Sequence, residues 1–343
     1  MRYILYCNLP YSFAILKPLE VEIASRGFEY IWYIPNSLEE SFPYKESHFT
    51  TSIKDLKEYK ADAIFVSGND VPFFLQGIKV QIFHGLAGEK KGHFRIRDYF
   101  DLYLTQGPYF TQKFQELSLK HKNFEVIETG WCKLDKLFTP QKETQEYREE
   151  LLQDYGVSNI ILYAPTFSPS LTSAKKLLTF MAKIATKESL VIIKFHDKMD
   201  KEIVEEYKKL TIKNLIISDI KDITKLLHIS DMMISDTSSV VYEFLLLDKP
   251  VITLNSISEN ISWLDINDET KMIEAVEKTF KDDSFAQERE NIIKLYHPYN
   301  DGKSSARMID ATLEYKEKFG VPMKRKISLF RKLKTYKSFF KLL

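Results

Sequence analysis

The stretch "DMMISDTSSVVYEFLLLDKPVITLN" (231–255) reads as an apolar strand, a hydroxyl-rich bend, an apolar helix, a turn and a second apolar strand. A strand that is apolar at nearly every position belongs in a parallel sheet covered on both faces. The helix between the two strands is the crossover such a sheet requires. Working outward, "IILYAP", "LVIIKFH" and "NLIISD" precede it, and "RYILYCN", "YIWYIPN", "AIFVSGN", "VQIFHG", "LYLTQG" and "FEVIETG" fill the first part of the chain, with helical patterns between them.

In "KLFTPQKETQEYREELLQDYGVS" (136–158) the strand signals stop and a polar helix begins. The 343-residue length exceeds what one core normally organises. The expected fold is therefore α/β, with two Rossmann-like doubly wound domains facing one another across a cleft, at 1–140 and 150–320. A basic tail at 324–343 follows, with eight Lys or Arg and no acid. Its apolar residues recur at helical multiples, as in a helix lying in the headgroup region of an anionic leaflet. Lys324, Arg325, Lys326, Phe330, Arg331, Lys332 and Phe340 are its candidate membrane residues, the alternatives being a solvated tail or a helix docked on another subunit.

A net charge of +1 argues against a nucleic-acid partner. The two cysteines, Cys7 and Cys132, form no CxxC pair and join no His/Cys cluster of zinc-site spacing. Neither a disulfide framework nor a metal is expected, and a reducing compartment fits. The N-terminal apolar run is broken by Asn8, Pro10 and Ser12 and reads as a first strand, not a signal peptide. No window reaches the roughly 20 apolar residues of a membrane-spanning helix.

Open parallel sheets bind ligands beyond the carboxyl ends of their strands. There the sequence places His84-Gly85, Pro165-Thr166, His196 and Asp236-Thr237-Ser238-Ser239. A plain N-cap accounts for an isolated Ser or Asp before a helix, but three hydroxyl residues together suit a phosphate. His84 is followed by a glycine that allows positive φ or close approach of a ligand, and then by Lys90 and Lys91, which describes an anion loop with a general base. Asp301-Gly302-Lys303-Ser304 begins another helix and is a second candidate phosphate contact, although a plain cap is the commoner explanation of such a stretch. Glu243 either reaches a ribose or faces solvent. No GxxxxGK[ST], GxGxxG or GxSxG signature is present.

With these motifs in order, the chain resembles the CDP-glycerol glycerophosphotransferase family, the teichoic-acid primases and polymerases. "FHGLAGEKK" is similar to its HG-x-x-x-K element, "GWCKLDKLF" to G-x-P-R-x-D-x-L, "LYAPTFSPS" to YAPT-W, "IKFHD" to K-x-H-P, and "SDTSSVVYEFLLLDKPVI" to SD-Y-SS…DKP, with "DGKSSAR" after them. Leu86-Ala87, Cys132-Lys133, Asp197 and Thr237 depart from the pattern. The resemblance implies a GT-B-like fold, His84 and His196 as essential histidines, and Thr166, Ser238, Ser239, Asp301, Lys303 and Ser304 around the donor pyrophosphate and glycerol. It further implies a CDP-activated polyol donor, an undecaprenyl-type lipid-linked saccharide acceptor, release of CMP, no cofactor, and a peripheral place on the cytoplasmic face of the membrane. The oligomeric state stays open. A GT-B glycosyltransferase or epimerase acting on a UDP-sugar, and a non-catalytic glycopolymer-binding scaffold, are the alternative readings.

Overall fold

The computed structural model describes residues 1–86, 93–139, 141–258, 261–325, 327–329, 332 and 333. Two compact units divide the chain, Met1–Phe138 with Leu295–Leu343, and Thr139–Lys294. The segment 295–320, expected in the second domain, thus belongs to the first unit. Helix Ser304–Phe319 packs there on helix Ser12–Ser25 and on the 3-10 turn Cys132–Phe138, burying Met308, Ile309, Ala311 and Thr312. An amphipathic helix declares which face is buried but not which sheet covers it.

Among the described residues the first unit holds seven parallel strands, β1 (Arg2–Tyr6), β2 (Glu29–Tyr33), β3 (Phe49–Thr50), β4 (Ala63–Val66), β5 (Ile78–Gln81), β6 (Leu102–Thr105) and β7 (Glu125–Glu128), in the order β3-β2-β1-β4-β5-β6-β7. The second holds six, β8 (Asn159–Tyr163), β9 (Ser189–Ile193), β10 (Leu215–Ile217), β11 (Met232–Ser235), β12 (Val251–Leu254) and β13 (Leu264–Ile266), in the order β10-β9-β8-β11-β12-β13. Both are doubly wound, and strands such as β4, β5, β6, β9 and β11 are buried at every position. That is why most of them read as apolar runs, although β5 also buries Lys79 and Gln81. The edge strands β3 and β13, of two and three residues, were not expected. The order reverses between β1 and β4 in one sheet and between β8 and β11 in the other, and these are the positions where open sheets accept ligands.

The chain after residue 320 departs from expectation. Arg325 donates to Asp101 from Nε (2.8 Å) and Nη2, and to the Gly77 carbonyl (2.8 Å), with its side chain 9% exposed. Ile327 joins the core under the first sheet. Arg325 is therefore a structural anchor and not a membrane residue, because a buried carboxylate must be paired. Lys324 is exposed and Lys332 half-buried. Lys326, Phe330, Arg331 and Phe340 lie outside the described residues. Among the described residues no helix is long and apolar enough to cross a membrane.

Candidate active site

In the first unit, the loop after β5 carries His84 into solvent. Its Nδ1 lies 3.3 Å from the Ser67 carbonyl at the end of β4. A carbonyl only accepts, so Nδ1 carries the proton and Nε2 is the basic nitrogen. The Tyr11 ring, 41% exposed at the start of the first helix, lies 5.3 Å from the imidazole. The residue with positive φ is Phe83, at 61°, and not Gly85. A left-handed backbone costs a bulky residue roughly 1–2 kcal/mol. A side chain on Gly85 would meet nothing within 4 Å among the described residues, and its carbonyl accepts from Gln106 Nε2 at 3.0 Å. Gly85 thus leaves room beside His84 without being required by the backbone. Lys90 and Lys91 lie outside the described residues.

Also in this unit, Asp135 accepts from the backbone N–H of Ser304 (2.8 Å) and of Ser305 (2.7 Å). It thereby caps helix Ser304–Phe319 with a protein carboxylate. The donors that the sequence offers to phosphate are occupied. Asp301 is paired with Arg307 (2.8 and 3.1 Å) and accepts from Lys303 N–H (3.1 Å), while the buried Ser304 hydroxyl accepts from Arg307 (3.2 Å). Asp301, Gly302, Lys303 and Ser304 therefore form a structural knot, with Lys303 and the Arg307-paired Asp301 exposed and Ser304 buried. Gly130 completes it. With φ of 81°, any Cβ there would fall 2.5 Å from Ser304 Oγ. The buried His297 accepts from Trp131 N–H at 2.9 Å, and burial, with Arg307 next, pushes its pKa down to about 4.

In the second unit, the switch point between β8 and β11 brings Thr166 and Asp236 together. Asp236, 1% exposed, accepts from Thr166 N–H, Ser173 N–H and the Ser173 hydroxyl, each at 2.8 Å. Burial raises its pKa and these hydrogen bonds oppose the rise. Its lone pairs serve the 164–173 loop, so Asp236 shapes the site and does not bind phosphate itself. Thr237 Oγ1 accepts from Ile257 N–H at 3.1 Å. Ser238 is half-buried and Ser239 exposed, with no capping hydrogen bond from the Ser239 side chain. Their helix, Val240–Leu245, has only six residues. Its dipole is weak, so an anion there depends on the hydroxyl and N–H groups themselves. Glu243 is buried and does not face solvent.

His196, exposed beyond β9, accepts the Lys198 N–H on Nδ1 at 3.1 Å. The proton therefore sits on Nε2, the opposite tautomer to that of His84. Burial, followed by the opposing charges of Asp197 and of Lys198 and Lys194, holds its pKa below the usual imidazole value. The Phe167 ring packs on it at 4.4 Å. In the DKP turn, Lys249 donates to the carbonyls of Leu227 (3.0 Å), His228 (2.6 Å) and Ser230 (2.7 Å), closing the end of helix Ile223–Ile229. Sequence reasoning missed Tyr11, Ser67, Ser173 and Asp135. The strand-end rule applied to "YCN" and "FVSGN" signals the first two, Asp135 stands at the Asp of the G-x-P-R-x-D-x-L resemblance without having been singled out, and Ser173 had no local signal.

A family profile described as CDP-Glycerol:Poly(glycerophosphate) glycerophosphotransferase matches residues 79–256, just over half of the chain. The chain belongs to this family. The match includes His84, Thr166, His196 and the SDTSS stretch, and leaves out Tyr11, Ser67 and the 295–307 knot. The teichoic acid poly(glycerol phosphate) polymerase of Bacillus spizizenii is 24% identical, across 88% of this chain and 87% of that protein. The teichoic acid ribitol-phosphate polymerase TarL of Staphylococcus aureus is 29% identical across 56% of this chain, which spans only 39% of TarL. Among solved structures, the wall teichoic acid polymerase TagF superposes with a TM-score of 0.64 at 17% identity, covering 93% of this chain and 89% of that one. The S. aureus MnaA–UDP structure gives 0.68 at 14% identity, covering 92% and 96%. Such identities establish shared fold alone, and the class is the GT-B-like α/β architecture expected from the sequence.

Proposed function

We propose that this protein transfers glycerol phosphate, or a related polyol phosphate, from a CDP-activated donor to a hydroxyl of a lipid-linked saccharide in teichoic-acid-like polymer synthesis. The acceptor oxygen attacks the phosphorus bound to the polyol, the bond from that phosphorus to the bridging oxygen breaks, and CMP departs. His84 Nε2 takes the hydroxyl proton. His196 donates from Nε2–H to a phosphoryl oxygen, with Ser238 and Ser239 as further donors. The observation that carries this reading is the opposite surroundings of the two Nδ1 atoms, a carbonyl facing that of His84 and an N–H donating to that of His196, within the segment matched by the family; they set one imidazole to accept a proton on Nε2 and the other to donate from it. The basic tail beyond 327 would hold the enzyme on the cytoplasmic face of an anionic membrane.

Incubation with CDP-glycerol, CDP-ribitol and UDP-N-acetylglucosamine in turn, with a synthetic prenyl diphosphate-linked disaccharide as acceptor, tests the assignment. CMP formed only when acceptor is present is the expected result. UDP formation or sugar epimerisation would instead favour the nucleotide-sugar reading, and donor binding without turnover the scaffold reading.

A further inference from the structure

Phe83 is poorly suited to its own backbone. Its φ of 61° lies in a region that bulky residues rarely enter, so something must hold it there. The ring is 3% exposed and clamped by aromatic neighbours. The His93 imidazole lies parallel to it, 5.1 Å between centroids and 10° between planes, with Phe114 at 4.9 Å and Tyr103 at 6.2 Å. Burial, and next the charge of His84, keep His93 neutral with a pKa of about 4, and its buried Nε2 finds no hydrogen-bond partner among the described residues. His93 also meets Phe94, Phe110 and Phe114 at tilted or edge-on angles, but of these four rings only Phe83 lies parallel to it, so the imidazole is a face of the clamp on Phe83. The next residue along the chain is His84, whose Nδ1 reaches the Ser67 carbonyl only if the chain leaves β5 in this direction.

We propose that Phe83 is a positioning residue for the transfer, its left-handed backbone held by the clamp of His93, Phe114 and Tyr103 so that His84 presents Nε2 to the acceptor hydroxyl. The inference rests on the functional reading above. Phe83→Gly leaves the left-handed conformation accessible but removes the ring that enforces it. His93→Ala removes the stack, and His93→Phe restores it with an apolar ring.

Full-length variants are assayed for CMP release with CDP-glycerol and the synthetic disaccharide acceptor, normalised to the folded fraction by circular dichroism. In Phe83→Gly and His93→Ala, kcat is expected to fall on the order of tenfold to a hundredfold, as misaligned reacting groups require. KM for CDP-glycerol should stay within about twofold, and His93→Phe should return kcat to within about threefold of wild type. Wild-type-like kcat in Phe83→Gly, a loss in His93→Phe as deep as in His93→Ala, or a loss residing in KM for the donor overturns the proposal. His84→Ala separates the two levels. If it is inactive while Phe83→Gly is normal, only the positioning role fails; if His84→Ala turns over like wild type, the functional reading fails and this inference with it.

Discussion

His84 and His196 differ in a way that their residue type hides. Each has its tautomer set by a backbone group, a carbonyl for His84 and an N–H for His196. A proton acceptor contributes more to the transfer step than one donor among several. His84→Ala is therefore expected to lower kcat by roughly 10²–10⁴-fold, and His196→Ala by less, with His196→Gln recovering part of the loss because its amide still donates. Steady-state CMP release measures all three; equal activity of the Gln and Ala variants at 196 would remove the donor role. Asp236→Asn keeps the oxygen facing Thr166 N–H but sets an amide N–H against Ser173, leaving buried donors unmatched. It should cost about 1–3 kcal/mol in denaturant unfolding, and calorimetry should show weaker CDP-glycerol binding. Both histidines and the hydroxyl run were legible as strand endings. Their tautomers were not, because Ser67 and Lys198 act through backbone atoms that leave no trace in residue type.

At the level of elements, two family motifs meet as helix and cap. Asp135, from "GWCKLDKLF", closes the N-terminus that "DGKSSAR" opens, so neither stretch is complete without the other. Asp135→Ala removes the cap and strands two buried N–H groups, a loss of roughly 2–4 kcal/mol. The prediction is a markedly lower unfolding midpoint, with the donor affinity of folded protein retained. Tight CDP-glycerol binding lost without any loss of stability would instead return the segment to a ligand-binding role. A helix start rich in Ser, Lys and Gly is chemically the same whether phosphate or aspartate fills it. The sequence could not decide between them, since the filling carboxylate stands about 170 residues away.

For the whole molecule, the return of 295–343 to the first unit has a direct consequence. Ending the chain at residue 294 would uncover the faces that Met308, Ile309 and Ile327 bury and would strand Asp101 without Arg325. Such a protein is expected to lose one cooperative unfolding transition while the transition of Thr139–Lys294 persists, as scanning calorimetry would reveal. Two transitions unchanged from wild type would show the return segment to be dispensable. Acid acts on the same unit. His297 has a pKa of about 4 when folded, against roughly 6.5 for a free imidazole. Between these values the unfolded chain binds a proton that the folded one refuses. The contribution is complete above about pH 6.5 and declines as pH falls toward 4, by roughly 3 kcal/mol. Wild type should lose more stability than His297→Gln between pH 7 and 4.5 in urea titrations; parallel losses would refute the assignment. By itself the sequence determined the parallel α/β class, eleven of the thirteen strands and the strand ends that bear His84, Thr166, His196 and Ser238, because burial on both faces and alternation with helices are written locally. Only the tertiary structure decided which unit owns the last helices, which polar groups satisfy one another instead of a ligand, and that Phe83, not Gly85, bears the strained turn, because each depends on partners brought together by folding from distant parts of the chain.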